Sequence, residues 1–134
     1  MRLALLTISG FVALAAAPPA HAAPVFFESP SHNIGCYLAK SGARCDIKAH
    51  TWKAPKKPSW CDVDWGSGLE VGRRGNGHFV CAGDTVFGGT RVLGYRKSIH
   101  RGRFKCTSRR NGMRCVNLRN DHGFKLARRK ATWF

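Results

Sequence analysis

Six cysteines are the residues whose types and spacing point most directly to chemistry. Two stretches, Cys36–Cys45 and Cys106–Cys115, share the pattern C-x5-G-x-R-C. Structural zinc is usually bound by cysteines or histidines two to four residues apart, whereas eight residues separate the two cysteines in each stretch. An even number of cysteines in a small exported chain is typical of a disulfide framework. The spacing therefore favours disulfides over a metal site.

The pairing of the cysteines follows from the strands that surround them. Alternating apolar side chains predict a two-stranded hairpin in each stretch, and a positive φ is expected at the turn glycine of the first, Gly42. In such a hairpin the two cysteines face each other, and the two cysteines outside the hairpins pair by elimination. The predicted disulfides are Cys36–Cys45, Cys61–Cys81 and Cys106–Cys115.

Histidines and carboxylates offer a second chemistry, general acid–base catalysis. A small exported phosphate-ester hydrolase of the ribonuclease kind needs a histidine with a carboxylate or a second histidine, and cationic groups at the phosphate. The residue types are present, but their spacing forms no catalytic motif, and neither G-x-S-x-G nor H-E-x-x-H occurs. We therefore predict a protein that is not an enzyme, with no catalytic residue and no cofactor. The residues of the alternative are His78, His100, His122, Glu70 and Asp84.

Asp62 and Asp64 are spaced to share one face of a strand, where they could bind calcium or act as a carboxylate pair. Two carboxylates are too few for a calcium site unless carbonyl oxygens complete it. A strand edge that is solvated or paired with surplus lysine and arginine is the simpler interpretation. We predict no metal site.

Three tryptophans, Trp52, Trp60 and Trp65, lie around a crossing that is rich in proline and lysine. Aromatic rings interleaved with lysines could stack on sugars or bases. Core packing is the commoner role of tryptophan in a domain this small. We expect one of the three to be exposed.

Positive charge is concentrated in the C-terminal part of the chain. The whole chain has 23 Lys and Arg against 7 Asp and Glu, a formal net charge of +16. Residues 96–134 contain thirteen of the basic residues and a single acidic residue, Asp121, whereas residues 23–95 contain nine basic and six acidic residues. Runs of charge usually form a solvated face, but a field of one sign this dense destabilises the compact state. The asymmetry predicts an anionic partner.

Basic and smaller side chains alternate in the basic segment, which predicts one strand with a cationic face. A nucleic acid, an anionic lipid surface and a wall polysaccharide would each be attracted through counterion release, without a sequence code, and they are not ranked. The alternative is a protein-binding or inhibitory module whose basic loop enters an acidic cleft. The predicted contact residues are Arg101, Arg103, Lys105, Arg109, Arg110, Arg114, Arg128, Arg129 and Lys130.

The remaining sequence indicates the scaffold that must position these residues. Arg2, an apolar run and the small-x-small site Ala20–Ala22 predict a signal peptide in residues 1–22, which leaves one exported domain, residues 23–134, outside the cytoplasm and without a membrane span. No window of that domain spaces apolar residues as a helix does, and turn signals recur about every 8–12 residues. We predict an all-β fold, a small disulfide-stapled sandwich or barrel of short antiparallel hairpins.

Three stretches carry a resemblance to a known family. They read S-P-S-H-N-I-G-C-Y-L from Ser29, F-V-C-A-G-D-T from Phe79 and H-G-F from His122. With them, the chain resembles a family of small exported bacterial proteins of unknown function. The resemblance implies one exported domain with paired cysteines and carries over no catalytic residue. The chain departs from the pattern at His32, where a small residue is more usual, and in its heavier basic charge after residue 95.

Overall fold

The computed structural model describes residues 10, 12–15 and 23–134. The predicted signal peptide, residues 1–22, lies largely outside these described residues. Within them, no helix is long and apolar enough to cross a membrane. The strands are β1 (Val25–Glu28), β2 (Ile34–Ala39), β3 (Gly42–Ile47), β4 (Trp65–Gly72), β5 (His78–Cys81), β6 (Arg91–Val92), β7 (Ser98–Arg101), β8 (Phe104–Arg109), β9 (Gly112–Asn117), β10 (Gly123–Leu126) and β11 (Ala131–Trp133).

These strands form two sheets that share one hydrophobic core. The first sheet has the order β5-β4-β3-β2-β1-β6 and the second has the order β11-β10-β9-β8-β7. All pairs are antiparallel except the short strand β6, which runs parallel to β1. Buried side chains of both sheets form a single cluster between them. The predicted disulfide-stapled all-β class is therefore confirmed, and the architecture is a sandwich.

The two sheets are built from the same five-strand meander, β1 to β5 in the first and β7 to β11 in the second. A C-x5-G-x-R-C hairpin forms the centre of each meander, so the short sequence repeat marks a repeat of whole sheets. Each sheet has a row of side chains directed towards the core, and the two rows correspond position by position. They are Phe27, Cys36, Cys45, Leu69 and Phe79 in the first sheet, and Ile99, Cys106, Cys115, Phe124 and Trp133 in the second.

The two inner rows contact each other across the sandwich. At their centre, the Sγ atoms of Cys45 and Cys115 lie 3.7 Å apart, and at one end the rings of Phe79 and Trp133 have centroids 4.9 Å apart. Both central disulfides are therefore part of the core, which the burial of apolar surface stabilises. The structure contains the three predicted disulfides, Cys36–Cys45, Cys61–Cys81 and Cys106–Cys115.

Gly42 and Gly112 occupy the same position in the two hairpins, and in both the neighbouring strand leaves no room for a side chain. A Cβ atom at Gly42 would lie 2.6 Å from the Val71 carbonyl oxygen, and one at Gly112 would lie 2.6 Å from the Leu126 carbonyl oxygen. Gly112 has a φ of 129°, but Gly42 does not adopt a positive φ, so that expectation was wrong. The common need is close approach of a neighbouring backbone, which only a residue without a side chain allows.

The single cationic strand predicted for the basic segment is also wrong. The chain reverses at Gly102, whose φ of 57° suits a tight turn, and the segment forms the hairpin β7–β8. The period of two in the sequence continued through this turn and hid it. Arg101 and Arg103 consequently do not share the face that carries Lys105 and Arg109.

The two stapled hairpins run in opposite directions across the sandwich. The turn of the first hairpin contains Lys40, whose Cγ lies 3.4 Å from the position of a Cβ at Gly102. The turn of the second contains Arg110, which lines a cavity together with Ser29 and Asn33 of the β1–β2 connection. We call these two ends of the sandwich the Lys40 end and the Arg110 end.

Candidate anion-binding surface

The outer faces of the two sheets carry corresponding rows of side chains, just as the inner faces do. The hairpin arginine occupies the central position in both rows, as Arg44 in the first sheet and Arg114 in the second. Its neighbour on the next strand is Glu70 in the first row but Lys125 in the second. Opposite charges that face each other across strands stabilise a sheet, whereas like charges destabilise it. At the same position of the framework, the first row therefore has neighbouring charges that attract each other and the second row has neighbouring charges that repel each other.

In the first sheet the arginine is neutralised. Arg44 donates hydrogen bonds from Nε and Nη2 to the two carboxylate oxygens of Asp46, at 3.0 and 2.9 Å, and from Nη1 to Asp84 at 2.9 Å. Burial opposes its charge, but the hydrogen bonds to Asp46 and Asp84 outweigh this and raise the pKa of Arg44. The same contacts lower the pKa of Asp84. Arg44 thus holds the first sheet together and offers little free charge to a partner.

The residues of the hydrolase alternative are only partly brought together. His78 lies 2.9 Å from Glu70, whose hydrogen bond raises the pKa of His78, and both line a cavity of about 560 Å³ with Arg44 and Asp84. His100 and His122 do not line this cavity; they belong to the β7 strand and the β9–β10 turn of the second sheet. Because carboxylates surround Arg44, the cavity has no excess of positive charge that would attract a phosphate ester.

In the second sheet the basic side chains are not neutralised. None of the ion pairs among the described residues involves a residue of 96–134. Arg114 is exposed and its guanidinium lies 5.2 Å from the centre of the Phe134 ring, a cation–π contact that leaves the positive charge in place. Lys125 lies opposite Arg114 in the adjacent strand. It was not among the predicted contact residues.

Five of the nine predicted contact residues line one groove at the Arg110 end, with Lys125 beside them. The groove has a volume of about 770 Å³, and no acidic residue is among the described residues that line it. Its predicted contact residues come from the end of β8, the β8–β9 turn and the β10–β11 loop. Its basic residues are Arg109, Arg110, Lys125, Arg128, Arg129 and Lys130.

Contacts from other elements fix the two loops of the groove. The Trp52 indole Nε1 donates to the Ala127 carbonyl at 2.7 Å, and the Thr51 amide donates to the Arg128 carbonyl at 2.9 Å. The guanidinium of Arg110 packs over the Tyr95 ring, 5.0 Å from its centre. The basic side chains therefore project from a backbone that is ordered before any partner arrives, which reduces the entropy lost on binding.

The other four predicted contact residues lie elsewhere. Lys105 and Arg114 are on the outer face of the second sheet, on β8 and β9. Arg101 donates hydrogen bonds to the carbonyls of Ala23 and His100, so it ties the end of β7 to the segment that precedes β1. Arg103 is in the β7–β8 turn at the Lys40 end, far along the strand from the groove.

Among the tryptophans, Trp60 is exposed, with 68% of its surface accessible, whereas Trp52 and Trp65 pack against the core. The expectation that one of the three is exposed is confirmed. Asp62 and Asp64 are exposed, and within the described part of the chain no group of three or more His, Cys, Asp or Glu side chains is arranged to hold a metal ion.

No curated protein and no solved structure matches this chain significantly. A family model does match, over residues 4–134, which includes the whole of the sandwich and both repeated hairpins. The model describes a family of unknown function and names no ligand or reaction. This chain is a member of that family, the family of unknown function DUF6636.

Proposed function

We propose that the protein is an exported, non-enzymatic domain, residues 23–134, that binds an anionic polymer through the second sheet. The groove at the Arg110 end, with its adjoining outer face, is the principal contact. The observation that carries the proposal is that six basic residues line one cavity of about 770 Å³, and that no acidic residue is among the described residues that line it. The three disulfides offset part of the repulsion that this charge creates, and they suit an oxidising compartment.

The shape of the groove supports a chain-like partner over a flat one. A concave site lined by flexible cations can follow a phosphate or sulfate backbone, as basic grooves do in proteins that bind single-stranded nucleic acid without a sequence code. A bilayer surface is flat and would meet only the rim of the groove. Nucleic acids and anionic polysaccharides share the chemistry that the groove recognises.

The first test compares two triple variants with the same net charge. Arg109, Arg110 and Arg129 are replaced by serine in one, and the exposed Lys53, Lys56 and Lys57 in the other. On a heparin column, we expect the groove variant to elute at clearly lower salt than the lysine variant. With single-stranded DNA, loss of three phosphate contacts should reduce the slope of log K against log salt by about 2. Equal elution of the two variants would contradict the proposal.

Binding to anionic vesicles is the second measurement. We expect retention on heparin or single-stranded DNA to depend on the groove residues, while vesicles that contain phosphatidylserine bind more weakly at the same salt. Stronger binding to vesicles, lost in the same groove variant, would replace the polymer by a membrane surface.

A further inference from the structure

Four basic side chains from four different turns meet at the Lys40 end of the sandwich. The turns are those between β2 and β3, β4 and β5, β7 and β8, and β9 and β10, so both sheets contribute equally. They surround a cavity of about 340 Å³, and none of the described residues that line it is acidic. Its lining residues are Lys40, Arg73, Gly102, Arg103, Leu118 and Arg119.

Asn117, whose side chain is fully buried, fixes the positions of these turns. Its amide nitrogen donates to the carbonyls of Gly72 and Arg73 at 3.3 and 3.2 Å, and its Oδ1 accepts from the Arg119 amide at 3.0 Å. The neighbouring Leu118 amide donates to the carbonyl of Arg103 at 2.8 Å. Three of the four turns are therefore tied together by one buried polar side chain and its neighbour.

This arrangement concentrates like charges that repel one another. Desolvation lowers the pKa of Arg103, and the charges of Arg119 and Arg73 lower it further. Asp121 lies in the same turn as Arg119 but forms no ion pair with any described residue. Repulsion of this kind destabilises the folded state. An anion in the cavity would remove the repulsion and turn it into attraction.

We propose that this cavity is a discrete oxyanion site that binds a single phosphate or sulfate group. Three arginines line the cavity, and a guanidinium group can donate two parallel hydrogen bonds to a phosphate or sulfate, a geometry that lysine does not supply. None of the described residues that line the site also lines the groove at the Arg110 end, and the site lies at the opposite end of the sandwich. The proposal of an oxyanion site is therefore independent of whether the groove binds a polymer.

The test is an NMR titration of the oxidised protein with inorganic phosphate, with sodium chloride at the same ionic strength as the reference. We expect the backbone amides of Gly102 and Leu118 to shift and saturate with phosphate only. The double variant Arg103→Gln with Arg119→Gln should lose this response, while Arg109→Gln with Arg110→Gln should keep it. Shifts that are equal in the two salts, or unchanged in the first variant, would overturn the site.

Thermal unfolding gives a readout that does not depend on the NMR assignment. Without phosphate and at low salt, Arg103→Gln with Arg119→Gln should unfold at a higher temperature than the unmodified protein, because two repelling charges are gone. Phosphate should raise the unfolding temperature of the unmodified protein more than that of the variant, which keeps only the basic residues of the groove at the Arg110 end. An equal rise in both proteins would contradict the site.

A third arm identifies the source of the phosphate. The two ligands are compared at equal total concentration of phosphate groups. If the amides of Gly102 and Leu118 saturate at a lower concentration with decathymidylate than with inorganic phosphate, the bound phosphate group belongs to a polymer. If decathymidylate requires the same or a higher concentration, the group is a free anion or a terminal phosphate. Both results require the oxyanion site, whereas the heparin comparison of the groove variants tests only the proposed function.

Discussion

The two sheets of this protein place an arginine at the same position and use it in opposite ways. Arg44 forms ion pairs with two aspartates and lies next to Glu70. These carboxylates neutralise its charge, and the ion pairs stabilise the first sheet. Arg114 stands next to Lys125, without an acidic partner among the described residues. The comparison shows that a repeated framework can neutralise an arginine in one copy and leave the corresponding arginine without an acidic partner in the other copy.

The largest effect that this comparison predicts is on stability. Arg44→Gln leaves the buried carboxylate of Asp46 without its ion pair, and breaking a buried pair in this way costs about 3 kcal/mol. Arg114→Gln removes an exposed charge and should change the free energy of unfolding by less than about 0.5 kcal/mol. Urea unfolding of the two variants measures both. A similar loss in the two variants would show that Arg114 is also a structural residue.

The second prediction converts one row into the other. Lys125→Glu places a carboxylate opposite Arg114, as Glu70 lies opposite Arg44. Replacing repulsion by attraction across the strands should stabilise the fold by about 0.5–1 kcal/mol, while elution from heparin shifts to lower salt. Lys125→Gln is the control that removes the charge alone, and it should give a smaller effect on both. Reduced stability of Lys125→Glu would argue against the correspondence of the rows.

The smallest predicted effect concerns pH. The hydrogen bond from Glu70 raises the pKa of His78 above its ordinary value of 6.5. Because the folded-state pKa is the higher one, the stabilisation is complete below pH 6.5 and disappears as the pH rises through the folded-state pKa. The His78 side chain is exposed and that of Glu70 is partly exposed, so the gain in stability is small. An NMR titration of the His78 ring should give a lower pKa in Glu70→Gln, and an unchanged pKa would contradict the pairing.

Much of the scaffold could be predicted because its signals are local. The two cysteines of each hairpin are close in sequence, and the alternation of side chains places them on one face, so their pairing needed no knowledge of the whole fold. The turn at Gly102 was missed because the alternation continued through it. The parallel pairing of β1 with β6 joins residues more than sixty positions apart and leaves no local pattern.

The sequence predicted most of the basic residues that belong to the candidate surface, but not how they are arranged in space. Excess charge after residue 95 identified the basic residues, and five of them share one groove because the β8–β9 turn and the β10–β11 loop lie at the same end. Arg73 and Arg119 were not among the predicted contact residues, because no local pattern in the sequence places either turn beside Arg103. Arg119 lies beside Arg103 because the β7–β8 and β9–β10 turns are at the same end of the second sheet, and Arg73 joins them because the first sheet packs with its β4–β5 turn at that end.

The contact between Cys45 and Cys115 also determines how readily the two central disulfides can be reduced. All four cysteines of the central disulfides are fully buried, whereas Cys81 of the third disulfide is partly exposed. Thiolates attack a disulfide only where they can reach a sulfur atom. Reduction of the two central bonds must therefore wait until the sheets separate, so its rate is the rate at which the sandwich opens.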